Sequence, residues 1–152
     1  MSNKNTNYTN HDLDVNIHDK NINVTGNADI QAKKTASVQN TQLNAGKGVN
    51  IKGGNVKIEG SSIISGGNVV IGGGNVVLNG ASISSNGDLE INSQTTEVVN
   101  KVDLEAAKTK LKSNNLSLAD NANLTINTNE YQEEVAHKEF GENATLTVKD
   151  KK

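Results

Sequence analysis

The chain has 152 residues, a formal net charge of −2, no cysteine, no proline, no tryptophan, one phenylalanine and two tyrosines. Only 33% of its residues are apolar, so an ordinary two-layer core, which leans on aromatics, is poorly supplied. The near-zero charge argues against nucleic acid as a partner and, being small, also against disorder by composition. Without cysteine there are no disulfides and no thiolate-bound zinc. The opening MSNKNTNYTNHDLD lacks the apolar stretch of a signal peptide. No run approaches the roughly 18 apolar residues of a transmembrane helix.

The remaining palette is rich in Val, Ile, Leu, Asn, Gly, Ser and Thr, and it suits thin coils with β-branched residues inside and small polar residues at bends. Near the start, DLDVNIHDKNINV alternates through Leu13, Val15, Ile17, Ile22 and Val24, as early coils with irregular corners. From Thr41 onward three blocks of twenty align without a gap: TQLNAGKGVNIKGGNVKIEG, SSIISGGNVVIGGGNVVLNG and ASISSNGDLEINSQTTEVVN. Val49, Val69 and Leu89 form one column, and Ile51, Ile71 and Ile91 the next. Val56 and Val76, continued by Thr96, form a third; Ile58, Leu78 and Val98 form a fourth, which Val38 precedes. Leu43, Ile63 and Ile83 make a fifth, with Ala45, Ser65 and Ser85 two positions later.

Within a block these columns are three i, i+2 pairs, the period at which alternate side chains of a strand face one way. Three short strands joined by Gly/Asn bends close a triangular turn, and stacked turns place equivalent strands about 4.8 Å apart in parallel sheets. The fold expected is all-β: a parallel β-helix with three strands of two to four residues per roughly 20-residue coil, right-handed by the crossover rule. Asn55 and Asn75 stand in register where side-chain amides can stack. Gly72, Gly73 and Gly74 are expected to supply a bend that includes positive φ.

EVVNKVDLEAAKTKLK (97–112) has helix-favouring residues, but Leu111 keeps the column of Ile91, so extended structure is favoured. Leu116 and Leu118 continue the columns of Thr96 and Val98, and Leu124/Ile126 and Leu146/Val148 are further alternating pairs. NEYQEEVAHKEF (129–140) opens on a capping-box-like Asn129…Gln132, and helix or irregular cap remain alternatives there. The chain is thus expected to form a single β-helix domain over 1–152 with six or seven coils. The best-defined coils span 41–100, and 129–143 would form a polar excursion or cap.

The stretch GSSIISGGNVVIGGGNVVLNGASISSNGDLEI (60–91) resembles the haemagglutinin repeats of filamentous-haemagglutinin-type exoproteins. The residues that carry the likeness are Gly60, Ser61, Ile63, Gly66, Gly67, Asn68 and Val69, then Gly74, Asn75, Val76, Leu78, Gly80 and Ala81, then Asn86, Gly87, Asp88, Leu89 and Ile91. TNEYQEEVAHKEFG is similar to the Glu/His/Lys-rich segment that often follows such repeats. The resemblance implies a protein of two-partner secretion, secreted or on the bacterial cell surface: an adhesin, or the stalk of a contact-dependent toxin-delivery protein. It implies an outer-membrane transporter during export, and as partners a receptor on a host or neighbouring cell or further parts of the same polypeptide. The expectation is a piece of stalk or a small relative rather than a whole adhesin.

His11, His18 and His137 lack metal-ligand spacing, and Glu133, Glu134 and His137 would share one face only on a helix. A calcium-binding nonapeptide roll needs an aspartate in each repeat, and residues 60–87 hold no acidic residue. A polysaccharide-active β-helix enzyme would need a carboxylate pair. Asp88 and Glu90 are the nearest to one, with Asp88 at a corner and Glu90 facing solvent beside Val70 and Asn50. No catalytic, cofactor or metal residue is assigned.

The residues expected to build the core are Val49, Ile51, Val56, Ile58, Ile63, Val69, Ile71, Val76, Leu78, Ile83, Leu89, Ile91, Leu111, Leu116 and Leu118. Outward-facing Ile64, Val70 and Val77 are the candidate contact surface, on different sides of the triangle. The leading function is a non-catalytic rod, spacer or interaction module. The alternatives are a polysaccharide-active enzyme and a self-assembling spike or filament, since a truncated solenoid leaves open strand edges for end-to-end association. The polar tails MSNKNTNYTNHD and VKDKK are suited to blunting those edges.

Overall fold

Alternating aliphatic residues make short strands, and the Asn, Gly and Ser between them let the chain turn after each one. The result, in a computed structural model that describes residues 6–10 and 14–150, is a parallel β-solenoid of about seven turns with no helix among the described residues. In chain order the strands are β1 (Thr6–Asn10), β2 (Val15–His18), β3 (Asn21–Val24), β4 (Ala28–Ala32), β5 (Thr35–Gln39), β6 (Gln42–Ala45), β7 (Val49–Lys52) and β8 (Asn55–Glu59). They continue as β9 (Ser62–Ser65), β10 (Val69–Asn79), β11 (Ser82–Ser85), β12 (Asp88–Val99), β13 (Lys101–Leu118), β14 (Asn123–Phe140) and β15 (Thr145–Asp150).

Three walls arise by parallel pairing. The first stacks β1, β4 and β7, then the opening halves of β10 and β12 and the middles of β13 and β14. The second stacks β2, β5 and β8, then the closing parts of β10, β12, β13 and β14. The third stacks β3, β6, β9 and β11, then the starts of β13 and β14, and finally β15. The register matches the sequence columns: Ile51, Ile71, Ile91 and Leu111 follow one another on the first wall, and Val38, Ile58, Leu78, Val98 and Leu118 on the second. The third wall carries Leu43, Ile63, Ile83, Leu104 and Ile126.

All fifteen residues expected in the core are buried. A buried aliphatic side chain contributes roughly 1.5–3 kcal/mol, and each turn rests only on its neighbours, so stability accumulates by stacking.

Two corners are built differently from expectation. Gly72–Gly74 do not take positive φ; Gly72 and Gly73 stay in the ladder opposite Asn92 and Ser93, so β10 runs through its bend as one strand of 11 residues. A wide bend does not need a left-handed residue, and β13 and β14 likewise reach 18 residues each. The left-handed residues lie instead where the second wall meets the third. Asp19, Asn40, Gly60, Gly80, Asn100, Asn121 and Asn143 all have φ between 48° and 63°, one in each turn. These are Gly, Asn and Asp because they tolerate this region best. The tight corner between the third and first walls uses glycine for proximity: a Cβ on Gly66 would press into the carbonyl of Gly46 in the turn before.

The segment 97–112 is extended in β12 and β13 on either side of the left-handed corner at Asn100. Residues 129–140 are extended too. They form the last part of β14, paired residue by residue with β13, so the helix alternative is overturned and the segment is wall rather than excursion. Ladder pairing with β13 outweighs the helix propensity of its Glu, Gln, Lys and Ala. His11 and Leu13 lie outside the described residues, as do parts of both polar tails; Val148–Asp150 of the second tail belong to β15.

Candidate functional site

In a solenoid the inside is committed to packing, so function falls to the outer walls and the two ends. The outward-facing apolar residues are separated: Ile64 lies on the third wall, Val70 on the first and Val77 on the second. Ile64 is 45% exposed, while Val70 and Val77 are half-buried between their neighbours in the stack. They form no common apolar patch.

Polar side chains are spent on holding turns together. Asn75 Nδ2 donates to Asn55 Oδ1 at 2.9 Å, Asn44 Nδ2 to Asn23 Oδ1 at 2.7 Å, and Asn100 Nδ2 to Asn79 Oδ1 at 2.8 Å. Buried serines finish the corners from within. Ser85 Oγ donates to the Gly67 carbonyl (2.6 Å) and accepts from the Gly87 N–H (3.0 Å), and Ser65 does the same one turn earlier with Gly67. Ser61 Oγ accepts from the Thr41 N–H at 3.1 Å.

The carboxylate pair singled out by sequence is divided between ladder positions. Asp88 stands opposite Lys108, and Glu90 lies between Val70 and Lys110. Toward the C-terminal end the first wall becomes an alternation of sign. Asp88 and Glu90 are followed by Lys108, Lys110 and Lys112, and these by Glu130 and Glu134. Lys108 Nζ reaches Glu130 Oε2 at 3.6 Å, and Lys110 Nζ reaches Glu134 Oε2 at 3.3 Å. Such exposed pairs each contribute little, about 0.2–1 kcal/mol, but they discriminate between registers.

His18 is exposed, with Nδ1 3.3 Å from Asp19 Oδ2, and His137 is exposed on β14. On a strand Glu133 and Glu134 point to opposite sides, and no group of three or more metal-ligating side chains occurs among the described residues. Among the described residues, no helix is long and apolar enough to cross a membrane.

The feature that sequence reading missed is the last turn. Its inward positions carry Tyr131, Glu133, Val135, Lys138 and Phe140, stacked on Thr109, Leu111, Ser113, Leu116 and Leu118. Lys138 forms an ion pair with Glu133, and Tyr131 Oη donates to Glu133 Oε1 at 2.7 Å. Burial opposes ionisation of Glu133, yet the hydrogen bonds from Lys138 and Tyr131 and the charge of Lys138 hold its carboxyl below the ordinary value. The phenol of Tyr131 is pushed far above its ordinary range, first by burial and then by the bond to Glu133 and its charge. Phe140 is 43% and Val148 44% exposed. The signal lay in the alternation Tyr131, Glu133, Val135, hidden because charged residues occupy inward positions.

No curated protein and no solved structure matches the chain. The sequence does match the haemagglutinin repeat family over residues 9–95 and 73–129. These spans take in the six-turn stretch in which aliphatic columns, left-handed corners and serine-closed bends recur, and with most of its length matched the chain belongs to the haemagglutinin repeat family.

Proposed function

We propose that the chain is a non-catalytic stalk segment of a secreted or surface-exposed bacterial exoprotein of the adhesin type, acting as rod and spacer. The observation that carries this reading is the unbroken stack: each wall is paired from turn to turn along the described chain, and the interior is filled with aliphatic side chains. Such a body transmits length and stiffness. The one carboxylate pair worth testing for hydrolysis sits in a charge ladder whose lysines account for it.

Export through an outer-membrane transporter and display on the cell fit the family, and a receptor on another cell would be met by the walls or by other parts of the polypeptide. Antibodies against the chain should label intact cells of the producing bacterium, and added protease should remove the label. Labelling that needs permeabilised cells would overturn the surface assignment. Incubation with acidic polysaccharides should release no product; cleavage that disappears in Asp88→Asn or Glu90→Gln would overturn the non-catalytic assignment.

A further inference from the structure

An asparagine followed by glycine is the pair most prone to lose ammonia, because a glycine, having no Cβ, lets its nitrogen swing onto the asparagine side-chain carbonyl. The chain holds two such pairs, Asn79–Gly80 and Asn86–Gly87. Both fall at corners, and the solenoid holds them differently.

Asn79–Gly80 lies where the second wall meets the third, and both reacting groups are occupied. The attacking nitrogen, Gly80 N, donates to the Val99 carbonyl at 3.1 Å. The carbonyl to be attacked is held from the next turn, with Asn100 Nδ2 donating to Asn79 Oδ1 at 2.8 Å. Asn79 itself is a half-buried ladder residue between Glu59 and Val99.

Asn86–Gly87 lies at the tight corner between the third and first walls, between β11 and β12. Asn86 is exposed, and its carboxamide makes no hydrogen bond among the described residues. The main chain is pinned on either side, by Asn86 N on the Ser65 carbonyl (3.0 Å) and by Asp88 N on Asn68 Oδ1 (2.8 Å). Between these anchors the Gly87 N–H has a single contact, Ser85 Oγ at 3.0 Å. Attack at Asn86 therefore breaks one hydrogen bond, and attack at Asn79 breaks two.

We propose that Asn86 is a site of spontaneous deamidation in the middle of the stack, with Asn79 the protected member of the pair. Gly87 N gives up its proton and bonds to Asn86 Cγ; the Cγ–Nδ2 bond breaks and ammonia leaves. Water then opens the imide ring at one of its two carbonyls. The product carries a new carboxylate at position 86, two residues from Asp88, and its main chain is either restored or rerouted through the side chain. The rerouted link is longer by one methylene at a corner without room for it, since even a Cβ on Gly87 would press into Asn68 Oδ1. It must release the Asp88 N–H from Asn68 and loosen this corner. The inference goes beyond the stalk reading and does not depend on export or adhesion.

Both sites fall in the one tryptic peptide between Lys57 and Lys101, so each serves as the other's reference. The full chain is kept folded at mildly alkaline pH, digested, and compared with a sample taken at the start by fragmentation mass spectrometry. Asn86 should convert about tenfold faster than Asn79, the factor of one additional hydrogen bond. In guanidinium the two should convert at similar rates, and Asn86→Gln should remove the fast conversion from the folded chain. Asn100→Gly keeps a residue suited to its left-handed corner while deleting the amide that holds Asn79, and should speed Asn79 alone. Equal rates in the folded chain, faster conversion at Asn79, an inert Asn86 where the unfolded chain converts, or an Asn100→Gly variant in which Asn79 is unchanged would each overturn the inference.

Discussion

Thr96 and Thr109 are a matched pair: both are buried in core columns, at 1% and 0% exposure, and they differ in what their hydroxyls touch. Thr96 Oγ1 is 2.6 Å from Ser93 Oγ, which is itself 3.1 Å from Ser113 Oγ. Thr109 Oγ1 has no partner and sits between Leu89 and Tyr131 in the column that runs through Ala28, Val49 and Val69. A buried hydroxyl without a hydrogen bond costs about 1–3 kcal/mol, and valine has nearly the same shape. Thr109→Val should therefore stabilise the solenoid by about 1–2 kcal/mol. Thr96→Val, by removing a bonded hydroxyl, should destabilise it by about 1 kcal/mol. Urea unfolding followed by circular dichroism reads both, with the slope of the transition checked for constancy so that the midpoints compare like with like. Shifts of the same sign in the two variants would refute the assignment of one satisfied and one orphaned hydroxyl.

Other expectations follow from the same geometry. Ile71→Asp buries a charge in the middle of the stack and should cost several kcal/mol, enough to prevent folding, whereas Val70→Asp, one residue along but on the outer wall beside Glu90, should cost about 1 kcal/mol or less; thermal melts separate them, and equal losses would contradict the register. Gly80 has φ +59° and no atom within 4 Å of an added Cβ, so Gly80→Ala should cost only the left-handed strain of about 1–2 kcal/mol, and Gly80→Asn less, since Asn holds the same corner at Asn40 and Asn100; a larger penalty for Asn than for Ala in unfolding experiments would count against this. Because the folded carboxyl of Glu133 lies below its ordinary 4.5, its stabilisation is present above that value and lost as the pH falls through the folded one. Amide exchange in residues 131–140 should accelerate on acidification below about 4.5, and Glu133→Gln should flatten that response; an unchanged profile in the variant would rule out this ion pair as its source.

Columns of Val, Ile and Leu at a spacing of twenty made residues 41–100 legible before any coordinates, because each column demands the same side chain from three successive turns. Leu111 was sufficient to place 97–112 in the wall against its helix propensity. The signal failed at 129–140 for two reasons. The spacing to the previous turn lengthens to 22, as Leu111 opposite Glu133 shows, and the inward positions change from Leu111 and Leu116 to Glu133 and Lys138. A pattern defined by hydrophobicity goes silent where the core ends in an ion pair. The left-handed corner was only half visible, since Asn and Gly occur at every kind of bend in this chain. Picking the residue with positive φ in each turn required knowing which bends were tight.

That corner gives the molecule an addressable seam. Between Leu78 and Ala81 it is crossed in three steps, between Leu118 and Leu124 in six, yet Ala81 and Leu124 both enter the third wall beside Val102 or its column. Length is therefore absorbed at one edge of the triangle without disturbing the ladders on either side. Foreign loops, labels or epitopes placed after Gly60, Gly80 or Asn100 would project in a single file, spaced about 4.8 Å apart, which would make the rod a molecular ruler with one graduation per turn.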